Sequence, residues 1–263
     1  MDRPSLTAAL APHLASAALH GLRLLPAALV SPLLGGPLVP APVRLAIALG
    51  MGAALHRAGG SGTLPWTGLA DLTAAAGREL LVGIVLGVLA ALPLEAARAG
   101  GRLVDTLRGA TLAELHVAPV RQRESATGDL LAQWTVALAA WSGLDRLMWD
   151  SVLSTFSTLR VGLGAPPGPV LEVSLRAAGE LAAAAIGIGT PAAVAVLAAD
   201  LALACAARAA PDLGVPAASA PARAALGIAA VALGASAAAG RLLSLVAEAG
   251  GLMGLLSGGS GPR

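Results

Sequence analysis

The chain has 263 residues, of which 56% are hydrophobic, 12% charged and 2% aromatic, with no Tyr and a single Phe. Its 17 basic residues, all Arg, face 15 acidic ones, for a net charge of +2, and the mean hydropathy is +0.78. Soluble domains carry about 25% charge, so this composition excludes an ordinary soluble fold, and the lack of Arg clusters or stacking aromatics excludes nucleic acid as a partner.

Six apolar stretches follow in chain order, near 5–34, 43–56, 79–97, 128–149, 173–207 and 223–247. Ala and Leu dominate them and β-branched residues are few, which predicts helices. No alternating ten-residue strands occur, as a membrane β-barrel would require. The expected class is all-α: an integral membrane-type helical protein of about six apolar segments with broken or hairpin helices. Small residues would let those helices approach closely where lipid replaces water.

The first stretch is interrupted by His20 and Arg23 and lacks a clean cleavage site, so it is expected to stay attached rather than act as a signal peptide. The second and third are short. Eleven uncharged residues lie between Arg44 and His56, and 15 between Glu79 and Glu95. At 1.5 Å per residue these cover roughly 17 and 22 Å, less than the ~30 Å of hydrocarbon. Cover by other chains is one solution; snorkelling and bilayer thinning is the other. In the fifth stretch Gly187, Gly189 and Pro191 predict a kink or break between Glu180 and Asp200. Residues 58–68 and 161–170 are expected as loops and 211–222 as extended chain. Residues 1–250 are expected to form one helical domain, followed by a flexible Gly-rich tail over 251–263.

Catalytic signatures are missing. His13, His20, His56 and His116 form no HExxH or paired-ligand spacing and are expected to be separate packing residues. There is no GxSxG elbow and no phosphate-binding loop. Cys205, the single cysteine, excludes an internal disulfide and is expected to be a buried inert thiol. The reading is therefore no enzyme, no cofactor and no metal. The polar region 95–129 is the densest. A helix there would place Arg98, Arg102, Asp105 and Gly109 on one face, with Asp105 three residues from both Arg102 and Arg108. Such a face is either a solvated helix edge or a polar seam against another subunit. Arg78-Glu79 has the same two readings, and Gly83 to Gly87 is a literal GxxxG.

Five segments in order resemble one family. They are Arg23 followed by PAALVSPLLGGPLVPAPVRLAIALG, which carries Arg44; Arg78-Glu79 before Gly83 and Gly87; AGGRLVDTLRGATLAEL, with Arg102, Asp105, Arg108 and Gly109; SATGDLLAQ, ending at Gln133, with Ser154 and Phe156 beyond; and ADLALACAARAAPDLGVPAASAPARAALG, with Asp200, Arg208 and Pro211. Over residues 20–240 the chain resembles the export-gate subunits of type III secretion systems, the SctT, YscT and SpaR family, related to flagellar FliR. The Asp105 and Arg108-Gly109 pattern is closer to the injectisome branch. Asp212, Leu213, Gly214 and Val215 stand where the family commonly has Gln-Leu-Asn-Val.

The resemblance implies a structural channel component in the bacterial inner membrane, partly above the bilayer, at the entrance gate for unfolded exported proteins. It implies a helical assembly with P/R-type and Q/S-type subunits, a U/FlhB-type autoproteolytic switch subunit, membrane lipid and the exported substrates as partners. Energy would come from the proton gradient and a separate ATPase. The candidate contact or gate residues are Arg44, Arg78, Glu79, Arg102, Asp105, Arg108, Gly109, Gln133, Gly187, Gly189, Pro191, Asp200, Arg208 and Pro211. The alternative class is a small secondary transporter, which would favour paired discontinuous helices, or a polytopic membrane enzyme.

Overall fold

Ala- and Leu-rich sequence forms helix as expected. The computed structural model describes residues 6–32, 39–59, 68–109, 125–209 and 215–256, and among them it contains eight helices and no strand. These are α1 (Leu6–Val30), α2 (Ala41–Arg57), α3 (Leu69–Leu107), α4 (Ala126–Ser142), α5 (Leu144–Thr158), α6 (Pro167–Ala209), α7 (Val215–Leu233) and α8 (Ala235–Leu255). Four are long and apolar enough to cross a membrane: α1 over Leu10–Val30, α3, α6 and α8. The chain is an all-α membrane protein.

Several boundaries differ from expectation. The third apolar stretch is only the middle of α3, whose 39 residues reach roughly 58 Å at the helical rise, so charges end the apolar run without ending the helix. The fourth stretch is two helices, parted at Gly143, whose φ of 74° only glycine adopts readily. The sixth is also two, parted at Gly234.

Of the kink or break predicted at Gly187, Gly189 and Pro191, the break is absent: α6 runs unbroken for 43 residues with Pro191 inside it. A proline ring presses on the carbonyl four residues back, and here that residue is Gly187, whose missing Cβ leaves its peptide free to tilt. The hydroxyl of Thr190 donates to Ile186 O at 2.6 Å. Part of the extended segment 211–222 is helical as well, since α7 begins at Val215. Cys205 is exposed on α6 rather than buried.

The chain divides into two compact units. The first comprises residues 1–92, 142–178 and 246–263. In it α1 and α2 pair as a hairpin: a Cβ on Gly52 would stand 2.5 Å from Gly21 N and 2.7 Å from Ala17 O, so the backbones touch. The GxxxG of α3 serves the same purpose against α1. A Cβ on Gly83 would collide with Arg23 O, and one on Gly87 would lie 3.0 Å from Pro26 O. Leu19, Ala75 and Val161 are buried together with Phe156 beside them.

The second unit comprises 93–141 and 179–245. Here α3 crosses α4 where Gly101 meets the backbone of Gly128, and α6 where Gly100 meets Ile188 and Gly189 meets Leu103. Ala97, Leu131, Ile188 and Leu242 are its buried cluster, with Trp134 against it.

Candidate functional site

Charged residues inside apolar helices need partners, and in each unit they find them. In the first unit, Arg23 of α1 and Glu79 of α3 are both fully buried. The guanidinium makes a two-point contact, Nε to Glu79 Oε2 at 2.6 Å and one terminal nitrogen to Oε1 at 3.1 Å. This fork geometry suits Arg and not Lys. The other terminal nitrogen donates to Thr155 O at 3.0 Å and Leu159 O at 3.1 Å. Those carbonyls end α5, where the helix carries partial negative charge; Thr155 O also accepts the Leu159 N–H at 2.9 Å. The Phe156 ring lies 4.6 Å from the guanidinium carbon. Glu79 Oε1 also accepts the Gly162 N–H at 2.7 Å, and Arg78 donates to Gly162 O at 3.3 Å. One ion pair therefore ties α1, α3, the end of α5 and the loop beyond it. Arg44 is half-buried and donates to Leu29 O at 3.0 Å, closing the link between α1 and α2.

In the second unit, Asp105 is 1% exposed and is surrounded by donors. Oδ2 accepts the Ser125 hydroxyl at 2.6 Å and the Thr127 N–H at 3.0 Å; Oδ1 accepts the Thr127 hydroxyl at 2.6 Å and Arg108 Nε at 2.8 Å. Ser125 Oγ in turn accepts the Gly128 N–H at 2.9 Å. Asp105 and Ser125 thus cap the first turn of α4, supplying acceptors for N–H groups that the helix leaves open. The expected bridge to both flanking arginines is half right. Arg108 is held, whereas Arg102 is exposed and not among the Asp105 partners. Arg98, Arg102 and Asp105 do share a face of α3 by their helical spacing, but their surroundings differ: Asp105 is buried and Arg102 exposed, and Gly109 follows α3 with a φ of 79°.

Further along, Arg223 Nε meets Asp200 Oδ1 at 2.5 Å, and Arg241 meets Glu180 Oε2 at 2.9 Å. These pairs, together with Arg98 to Glu95 at 2.5 Å, join acids and bases that sequence spacing left unassigned. Gln133 and Arg208 are exposed; Pro211 lies outside the described residues. Gly187 and Pro191 line an apolar cleft of about 140 Å³ with Leu131, Ala230, Gly234 and Arg241.

The two glycines of α6 differ. A Cβ on Gly187 meets nothing within 4 Å, while one on Gly189 would stand 2.6 Å from Leu103 Cδ2 and 3.3 Å from Gly100 O. Gly189→Leu is expected to destabilise the protein by about 1–3 kcal/mol through overpacking; Gly187→Leu is expected to cost little. Thermal unfolding of the two single variants checks this, and equal midpoints would contradict the packing.

Sequence reasoning missed the extent of the Arg23 network. A lone Arg in an apolar helix was the available signal; the carbonyls it caps lie more than 130 residues away and leave no local trace. The family model for bacterial export proteins, family 1, matches residues 14–249. Comparison with curated proteins gives no match.

Proposed function

The chain belongs to the bacterial export proteins, family 1, and from that premise we propose that it forms part of the entrance gate for unfolded proteins in an injectisome-type export apparatus. Membership makes it a membrane component of a type III secretion or flagellar export apparatus, built with other subunits, in a family of structural parts rather than known enzymes. The gate role, the inner-membrane location and the P/R-type, Q/S-type and U/FlhB-type partners are the finer reading.

One observation carries that reading. Helix α6 is the longest among the described residues, yet only 28% of its most apolar window is buried, against 67% for α3. Leu171, Leu175, Ile186, Val194, Leu197 and Leu201 are all more than half exposed. Apolar surface of that extent is covered by lipid or by protein, and the exposed Gln133 and Arg208, with the half-buried Asp200–Arg223 pair, supply polar contacts such as a neighbouring subunit would use. The transporter alternative loses its main sequence support, because α6 is continuous where a discontinuous helix was expected.

Co-expression tests the assembly. Alone the chain is expected to aggregate or be degraded; with P/R-type and Q/S-type subunits it should enter one detergent-stable complex. A photo-crosslinker at Gly187, which has open space around it, should capture a stalled export substrate. A stable, monodisperse monomer would overturn the assembly reading, and an intact complex whose crosslinker never meets substrate would overturn the placement of this helix at the gate.

A further inference from the structure

Three of the four histidines, expected to be separate, come together. Gly21 and Gly52 bring α1 and α2 into backbone contact. His13 and His20, seven residues apart on α1, then flank His56 of α2. His13 Nδ1 stands 3.1 Å from His56 Nε2, with the rings tilted at 56°. The His20 ring meets His56 edge-on at 5.8 Å between centroids and stacks on Phe156 at 5.5 Å. His20 Nδ1 lies 2.7 Å from Ser16 O, an acceptor only, so that nitrogen carries the proton and the ring is fixed in orientation.

We propose that His13 Nδ1 and His56 Nε2 form a two-histidine site for a borderline transition-metal ion, Zn²⁺ or Cu²⁺, that clamps the α1–α2 hairpin. The spacing carries the assignment. Two imidazole nitrogens each ~2.0–2.1 Å from one ion stand about 2.9 Å apart at a right angle and about 3.3–3.4 Å apart at the tetrahedral angle. The observed 3.1 Å falls between these values. Imidazole nitrogen selects zinc, copper or nickel over magnesium and calcium. The two ligands stand on two helices locked by a glycine contact, so their separation is set by rigid elements. His13 is exposed, three residues into the Leu10–Val30 apolar span, which gives the ion a path in.

Among the described residues no group of three ligating side chains could hold a metal, so those residues give the site two protein ligands. His56 Nδ1 is buried with no hydrogen-bond partner among those residues. A ligating imidazole ordinarily donates its second N–H to an acceptor, and the lack of one weakens binding by about 10–100-fold. The site is therefore weak and exchangeable rather than a permanent structural centre. Binding needs both facing nitrogens free of protons, so the proton shared between the rings moves to an outer ring nitrogen or to water.

The test is a Cu²⁺ titration of the full chain, in complex with its partner subunits and carrying Cys205→Ser, followed by electron paramagnetic resonance. One equivalent should show hyperfine coupling to two imidazole nitrogens and be displaced by Zn²⁺. In His13→Gln and in His56→Gln, difference spectra should lose that two-nitrogen species and affinity should fall by about 10-fold or more. His13→Gln lies at an exposed position, so its loss of signal is not a folding defect, and circular dichroism confirms that. A two-nitrogen signal that survives both variants, or no bound copper in the parent, would overturn the site and leave the two rings simply hydrogen-bonded.

Discussion

Glu79→Ala is expected to give the largest single loss in the molecule. It removes both carboxylate contacts to Arg23 and the acceptor of the Gly162 N–H, leaving a fully buried guanidinium with only the α5 carbonyls. Breaking a buried pair by deleting one partner costs about 3–5 kcal/mol. Arg23→Lys should not rescue function, since one ammonium cannot serve the carboxylate fork and two carbonyls together. The double variant Arg23→Met with Glu79→Leu should recover part of the loss, because no charge is then stranded. Recovery stays partial, since Leu159 O and Gly162 N gain no replacement for the partners they lose, although Thr155 O keeps the Leu159 N–H at 2.9 Å. Complex yield and thermal midpoint measure this; a Glu79→Ala protein as stable as the parent would show that the pair contributes nothing.

Asp105→Ala should be nearly as severe, again about 3–5 kcal/mol, with reporter secretion falling alongside complex yield. The more telling variant is Asp105→Asn. Every group facing the carboxylate is a donor: the Ser125 hydroxyl, the Thr127 N–H and hydroxyl, and the Arg108 guanidinium. An amide offers one acceptor and sets an NH₂ against donors on its other side. Asn should therefore behave close to Ala despite its matching shape. Wild-type secretion from the Asn variant would mean that only one carboxylate oxygen is used.

Much of the fold is legible because helix-forming composition and apolar runs are local signals. The all-α class and the approximate places of the helices follow from Ala and Leu alone. Boundaries were misjudged where a neighbour decides. Gly143 ends a helix by its left-handed backbone, whereas Gly187 and Pro191 sit inside one, and no spacing rule separates the two cases. The candidate site was visible in part for the same reason. Asp105 stood out by its charges, but i±3 spacing points equally to Arg102 and Arg108, and the approach of Ser125 and Thr127 determines which side is buried. Glu79 stands out in the sequence without its partner, since Arg23 lies 56 residues earlier. The histidines looked unrelated because their proximity depends on a glycine contact between two helices.

The network around Arg23 has a consequence for biogenesis. Its partners emerge long after it: Glu79 is 56 residues later, and the α5 carbonyls are 132 and 136 residues later. At a ribosomal speed of about 5–20 residues per second, the counter-ion follows in roughly 3–11 s and the capping carbonyls in roughly 7–27 s. During that interval the nascent α1 carries an uncompensated cation within an apolar helix, which snorkels its guanidinium toward the headgroups. Final burial of α1 therefore waits on translation, and a ribosome pause between residues 23 and 79 prolongs the exposure of this segment to quality-control proteases.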